Sequence, residues 1–208
     1  MIKRKTKNPK TTKLSPKIHY PDDRVKRYFK ADKPNELWVS DITYVLTKSG
    51  YCYTAFITDV FSNTIASWMV SKYIDTKLVL DALDMAICTR KVISDNLVHH
   101  SDRNSQYFSD AYREKLDSEL IIQSVSTTGD SYDNALSESI NSFYKSELIY
   151  NNYLDLEFMD SKDLEATTSS YVYWWNNKRT QAKLDYISPI EFEKQYYQQQ
   201  DQSNLVSV

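Results

Sequence analysis

Residues 37–46 read LWVSDITYVL, a run of β-branched and aromatic residues that predicts a strand, and residues 51–61, YCYTAFITDVF, predict a second after a turn at Lys48-Ser49-Gly50. A turn at Ser62-Asn63 and the run TIASWMVS, residues 64–71, complete an antiparallel meander. The period then changes from two to that of a helix. Val79/Leu80, Leu83 and Ala86/Ile87 recur at helical spacing, with Asp75 or Thr76 placed as N-cap. Residues 97–102 predict a short strand, 109–120 a helix with Tyr112, Leu116 and Leu120 on one face, and 121–125 a further strand. Residues 126–131, with Gly129, predict a mobile loop, about 132–150 a long helix, and about 155–178 another. Ser188 and Pro189 open a last short helix. An antiparallel meander followed by alternating helices and strands makes an α/β chain with a mixed sheet flanked by helices and extended by helices at its C-terminal end.

The ends behave differently. Residues 1–30 contain Pro9, Pro16 and Pro21 with no sustained periodicity and read as a basic extended arm or linker, compact structure starting near Trp38. Residues 31–195 hold the core and its C-terminal helices, and the glutamine-rich residues 196–208 read as a disordered tail. With 208 residues, 41% of them apolar, the chain can bury one core. No apolar stretch approaches the roughly 18–20 residues of a membrane span, and the basic N-terminus is followed by no apolar region, so the expectation is a cytoplasmic protein. Cys52 and Cys88 lack metal-ligand spacing and read as two buried thiols.

Charge sharpens the picture. Residues 1–30 carry 11 Lys and Arg against 2 Asp, a net of +9, and the remainder 15 against 26, a net of −11, which together give −2. A cationic arm suits a phosphate backbone, or is simply a solvated tail. The acidic body argues against a broad basic DNA-binding face, so any DNA contact there must be local or assisted by metal ions.

Three acids stand in settings that a solvated charge would not need. Asp41 lies in the middle of the first strand, on one face with Val39 and Thr43; it is either paired, metal-bound or at an edge facing water. Asp102 closes the LVHHSD strand, at the end where α/β sheets place ligands, although Asp102-Arg103-Asn104-Ser105 is also good turn chemistry. Glu138 lies in the helix after the glycine-containing loop, and Lys145, two turns on, shares its face, unless both are ordinary solvated charges. The 35 residues between Asp102 and Glu138 prove little alone, because 19 Asp and 9 Glu give roughly one such pair at any separation by chance. Three carboxylates and one cation suit metal-dependent phosphoryl transfer, with two divalent ions activating the nucleophile and stabilising the leaving oxygen. An all-oxygen set selects Mg²⁺. At most one of His99 and His100 can point at such a site, and His100 is the candidate for substrate contact or proton shuttling. Tyr171, Trp174, Trp175 and Lys178 recur at helical spacing and read as core or as a base-stacking stripe, with Asn176 and Arg179 as candidate polar DNA contacts.

Five segments in order carry a resemblance: NELWVSDITYV (35–45), ITDVFSNTIASW (57–68), HHSDRNSQY (99–107), STTGDSYDNALSESINSFYKSELI (126–149) and YVYWWNNKRTQAKLDYISPIEF (171–192). Together they resemble the DDE transposases of bacterial insertion sequences, of the OrfB type, whose catalytic core is similar to retroviral integrases. The resemblance implies a ribonuclease H-like fold, a triad carried onto Asp41, Asp102 and Glu138, and Lys145 as a DNA contact near the scissile phosphate. It further implies Mg²⁺, with Mn²⁺ able to substitute, cleavage at the element's ends, and transfer of the freed 3′ hydroxyl into target DNA by a homo-oligomer on DNA. This chain has Asn104 where the family usually has Gly, a small change because Asn tolerates left-handed backbone. Family members carry a longer N-terminal portion, so end recognition is expected to be either absent or supplied by a partner, such as an upstream-frame DNA-binding protein joined by fusion. The alternative is a catalytically idle, truncated transposase that regulates transposition by binding DNA.

Overall fold

The computed structural model describes residues 20–90, 96–126, 134–150 and 159–206. Five strands form one sheet in the order β3-β2-β1-β4-β5, with β1 Leu37–Thr47, β2 Gly50–Asp59, β3 Ile65–Ser71, β4 Val98–Ser101 and β5 Ile122–Val125. The meander is antiparallel, while β4 joins β1, and β5 joins β4, in parallel. Both turns fall where the sequence places them. Gly50 takes φ +106° at the first and Asn63 φ 57° at the second, backbone that glycine and asparagine reach most cheaply.

Helices cover both faces. On one, α1 (Thr76–Arg90) and α2 (Asp110–Ser118) pack Leu78, Leu83, Tyr112 and Leu116 against Trp38, Ala55 and Ile57. On the other, α3 (Ala135–Phe143), a π-helical stretch (Tyr144–Tyr150) and α4 (Ser161–Asn177) bury Ile140, Tyr144, Leu164 and Trp175 against Val45, Phe56 and Ile65. The caps are those the residue types favour: Asp75 Oδ1 accepts from Leu78 N, Ser109 Oγ from Tyr112 N, and Asp160 forms a capping box with Asp163.

Several expectations are corrected. The helix α5 (Pro189–Val206) continues through the stretch read as a disordered tail, and Tyr196 packs its ring on Phe61. Residues 20–30 are not an extended linker. Val25 is buried with Leu37, Val39 and Val60, and Arg24 N donates to Ser124 Oγ, so order begins well before Trp38. Leu120 ends α2's segment at φ 56°, exposed rather than on the buried face. Cys52 is buried but Cys88 is exposed. Residues 1–19 of the basic arm, and nearly all of the loop expected at 126–131, lie outside the described residues. Among the described residues no helix is long and apolar enough to cross a membrane.

One buried ion cluster ties the C-terminal helix to the sheet. Arg90, at the end of α1, donates through Nε to Asn35 Oδ1, and its Nη2 reaches Asp59 Oδ2 at 3.2 Å and Glu193 Oε1 at 2.7 Å. Ser62 Oγ also donates to Glu193. Burial outweighs the guanidinium and pushes Asp59 up to about 6.

Candidate active site

The site arises from unequal strand lengths. Pairing between β1 and β4 stops at Ser40–Ser101, whereas β1 stays paired with β2 as far as Thr47–Gly50. From Asp41 onward the β4 side of β1 is therefore an open notch, at the carboxyl end of β4, where parallel strands place their ligands. Asp41 is the first β1 residue beyond the end of that pairing and Asp102 the first residue after β4. Helix α3 runs beside the notch and brings Glu138, Asn141 and Ser142 to it. An open cleft of about 360 Å³ is lined by Asp41, Ile42, Thr43, Tyr44, Glu138, Asn141, Ser142 and Lys145.

Each aspartate is held by asparagine and backbone donors. Asp41 Oδ1 accepts from Ile42 N at 2.7 Å, satisfying an amide that faces the notch, and Oδ2 accepts from Asn141 Nδ2 at 2.8 Å. Asp102 accepts from Asn104 N and from Asn104 Nδ2, the latter at 2.7 Å, so it starts a turn while its charge still reaches Asp41. Sequence reasoning missed Asn141, whose signal was its place three residues after Glu138, one turn along the same helix.

Electrostatics show the three acids acting on one another. Burial, then the Asp102 charge, raise Asp41 to about 7, with Glu138 adding to the rise. Burial, together with the Glu138 charge, raises Asp102 to about 6. A divalent cation would remove this repulsion. The donors are hard oxygens, and Asn141 Oδ1, buried beside Asp41, has no hydrogen-bond partner among the described residues, leaving an acceptor for an ion or its water. In chemistry the set fits Mg²⁺ or Mn²⁺; in geometry, no three His, Cys, Asp or Glu among the described residues are gathered into one coordination group.

A stability consequence follows. Asp41, raised from an ordinary 3.8 to about 7, binds its proton more tightly folded than unfolded. Its contribution is complete below the unfolded value and is lost as pH rises through about 7. In chelator, Asp41→Asn should be more stable than wild type by about 1–2 kcal/mol at pH 8, the gain closing toward pH 4, as read by urea denaturation across pH.

The other candidates fall elsewhere. Lys145 lines the cleft with its Nζ 4.4 Å from the Tyr44 ring centroid. The chain between Glu138 and Lys145 is not one continuous α-helix, since it passes into π geometry at Tyr144, a widening associated with functional sites. His100 is buried, bonded through Nδ1 to Ser124 Oγ and packed on Phe29; His99 bonds Tyr112 and is driven down to about 3 by burial. Neither histidine lines the cleft. Asn176 bonds both the N–H and the carbonyl of Ile65, and Arg179 grips Glu147 and stacks on Phe143 and Trp175. In this structure both residues are engaged in contacts within the protein, Asn176 with β3 and Arg179 with Glu147. Tyr171 and Trp175 of the aromatic stripe are buried and Trp174 is partly exposed.

A mixed five-stranded sheet with helices on both faces, opening at a carboxylate-lined notch where β4 ends beside β1, defines an integrase-like catalytic core of ribonuclease H-like fold. Two patterns described as integrase core domains match residues 31–131 and 138–197. The transposase of insertion sequence element IS629 from Shigella sonnei is 43% identical over 186 residues, covering 89% of this chain and 61% of that protein. The protein of IS986/IS6110 from Mycobacterium tuberculosis is 40% identical over 194 residues, covering 91% and 69%. The chain thus spans somewhat over half to about two thirds of these relatives. It belongs to the family of insertion-sequence transposases with an integrase core. Solved structures share the fold at 18% identity. A chain of the simian T-cell lymphotropic virus intasome has TM-score 0.69, covering 86% of this chain and 60% of that one. The HTLV-2 integrase catalytic core in complex with magnesium has TM-score 0.64, covering 79% and 99%.

Proposed function

We propose that this chain is the catalytic part of an insertion-sequence transposase, cutting DNA at the element's ends and joining the freed 3′ hydroxyl to target DNA. The observation that carries this reading is the convergence of charge among Asp41, Asp102 and Glu138 at the notch, with Lys145 on the same cleft. Asp41, Asp102 and Glu138 would hold two Mg²⁺ ions, or Mn²⁺ in their place, which supply an activated nucleophile and charge stabilisation for the leaving oxygen. Asn141 and Asn104 orient the two aspartates. Glu138, on the helix, closes the ligand set by a side-chain movement toward the strands. Lys145 leaves Tyr44 to meet the phosphate. Water and a DNA hydroxyl can each act in line at such a site, so cleavage and joining share the same residues. The working assembly is a homo-oligomer on DNA, with end recognition shared with an upstream-frame DNA-binding protein. A catalytically idle regulator gains no support from a chain that keeps Asp41, Asp102 and Glu138 in its sequence.

The test combines metal binding with chemistry. Millimolar Mg²⁺ or Mn²⁺ should raise the wild-type thermal midpoint and leave Asp102→Asn unmoved, since an ion bound only by the folded state stabilises it. The response should strengthen as pH rises through about 6 and about 7, where the aspartates release their protons. Incubation with oligonucleotides bearing the element's ends should then give nicked and joined products. Nicks without joints would leave a nuclease, and no metal response with no nick would sink the reading.

Lys145→Ala should weaken DNA binding on all sequences alike and reduce the slope of log affinity against log salt by about 1, the signature of one lost phosphate contact. Fluorescence anisotropy titrations at several salt concentrations measure it. An unchanged slope would remove Lys145 from the DNA contacts.

A further inference from the structure

The stacking residues that the sequence suggested are mostly consumed by the core, yet one aromatic ring stands at the cleft itself. Tyr44 is 56% exposed and lines the same opening as Asp41 and Glu138, three residues along β1 from Asp41. Its ring is fixed from two sides. Tyr51, across the hairpin, meets it edge to face with centroids 5.6 Å apart, and Lys145 Nζ sits 4.4 Å from its centroid. Leu46, also exposed, continues the same apolar side of β1.

We propose that Tyr44 is a stacking platform for an unpaired nucleobase beside the phosphate being cut, and so a positioning residue for the DNA end. The inference rests on the transposase reading above and goes beyond it by naming a base contact. A base has an aromatic face whatever its identity, so a tyrosine platform grips without reading sequence. The pairing of Tyr44 with Lys145 suits one nucleotide. When Lys145 turns to the phosphate, it uncovers the ring face it had occupied. The cation–π contact thus holds the platform pre-formed and occupied until DNA arrives. Asp41 and Tyr44 point to alternate sides of β1, yet both line the one cleft at its open edge, which sets the stacked base beside the carboxylates.

The experiment is an abasic scan. A fluorescein-labelled duplex with a frayed end is prepared with each unpaired base in turn replaced by an abasic site. Binding and Mn²⁺-dependent nicking are measured for wild type, Tyr44→Ala and Tyr44→Phe. One position should stand out, where loss of the base weakens wild-type binding about tenfold and leaves Tyr44→Ala unaffected, because the partner is already gone. Tyr44→Phe should recover most of the affinity and the same positional loss, which a tyrosine needed only for its hydroxyl would not. The metal-dependent rise in thermal midpoint should persist in Tyr44→Ala, separating lost stacking from a damaged fold. If wild type and Tyr44→Ala lose affinity equally at every abasic position while both still nick DNA, the platform is refuted and the transposase reading stands. If wild type neither binds nor nicks any of the duplexes, both are refuted together.

Discussion

Arg90→Met is expected to cost the fold about 3–5 kcal/mol, the usual penalty for removing one partner of a buried ion cluster. The guanidinium pairs with two carboxylates that have little or no contact with water, Asp59 with no side-chain exposure and Glu193 with 10%. Without it, each must remain charged and unpaired in the interior or take up a proton. Glu193 belongs to α5, so loss of the contact also loosens that helix from α1 and from Ser62. At this chain length the thermal midpoint should fall by about 10 °C. The sign with pH is fixed by Asp59. Its folded value, about 6, already lies above the ordinary one, and removal of Arg90 raises it further. Its contribution to stability is full below the unfolded value and is lost as pH rises through the folded one, so the deficit of Arg90→Met should be largest near pH 8 and shrink toward pH 4. Adding Asp59→Asn and Glu193→Gln should recover part of the loss. A midpoint unchanged at pH 8 would show that water reaches and solvates the cluster.

Glu138→Gln, Asp41→Asn and Asp102→Asn should each reduce DNA cleavage and strand joining by about a thousandfold, the loss of several kcal/mol of charge stabilisation at the reacting phosphate. The two reactions should fall together if, as proposed, one set of carboxylates serves both. These variants should not unfold the protein. Asp41→Asn in particular is expected to be the more stable form without metal, so an inactive but sturdier protein is the outcome that ties the acid to chemistry rather than to architecture. Quantified gel assays of nicked and joined oligonucleotides, run beside denaturation curves, decide it. Cleavage within tenfold of wild type in any one of the three would remove that residue from the site.

Much of this was legible in the chain because it is local. The strand meander, the cap at Asp75, and the turn residues Gly50 and Asn63 each follow from short-range pattern and backbone preference. Asp41 announced itself as a charge inside an apolar strand. What was hidden depends on lengths and partners that no local window contains. That β1 outlasts β4 is a property of two segments far apart in sequence, yet it makes the notch. Asn176 and Arg179 looked like surface polar groups until their partners, Ile65 and Glu147, were brought to them by folding. The basic segment before the core has the composition of a free arm, but Val25 finds Leu37, Val39 and Val60. The helix through Val206 shows that glutamine-rich sequence takes helical form when its leading turns are anchored, here by Phe192 and Tyr196 on Phe61.

The parallel pairing of β1 with β4 has a consequence for the chain as it is made. The first three strands can close as hairpins from neighbouring residues, but Asp102 can join Asp41 only after the whole α1 crossover has emerged. Glu138 comes later still, on a helix whose Ile140 is packed in one cluster with residues of α4. The strand scaffold is therefore made before the last acid of the proposed site. A chain that ends before α3 holds at most two of the three acids of the proposed site.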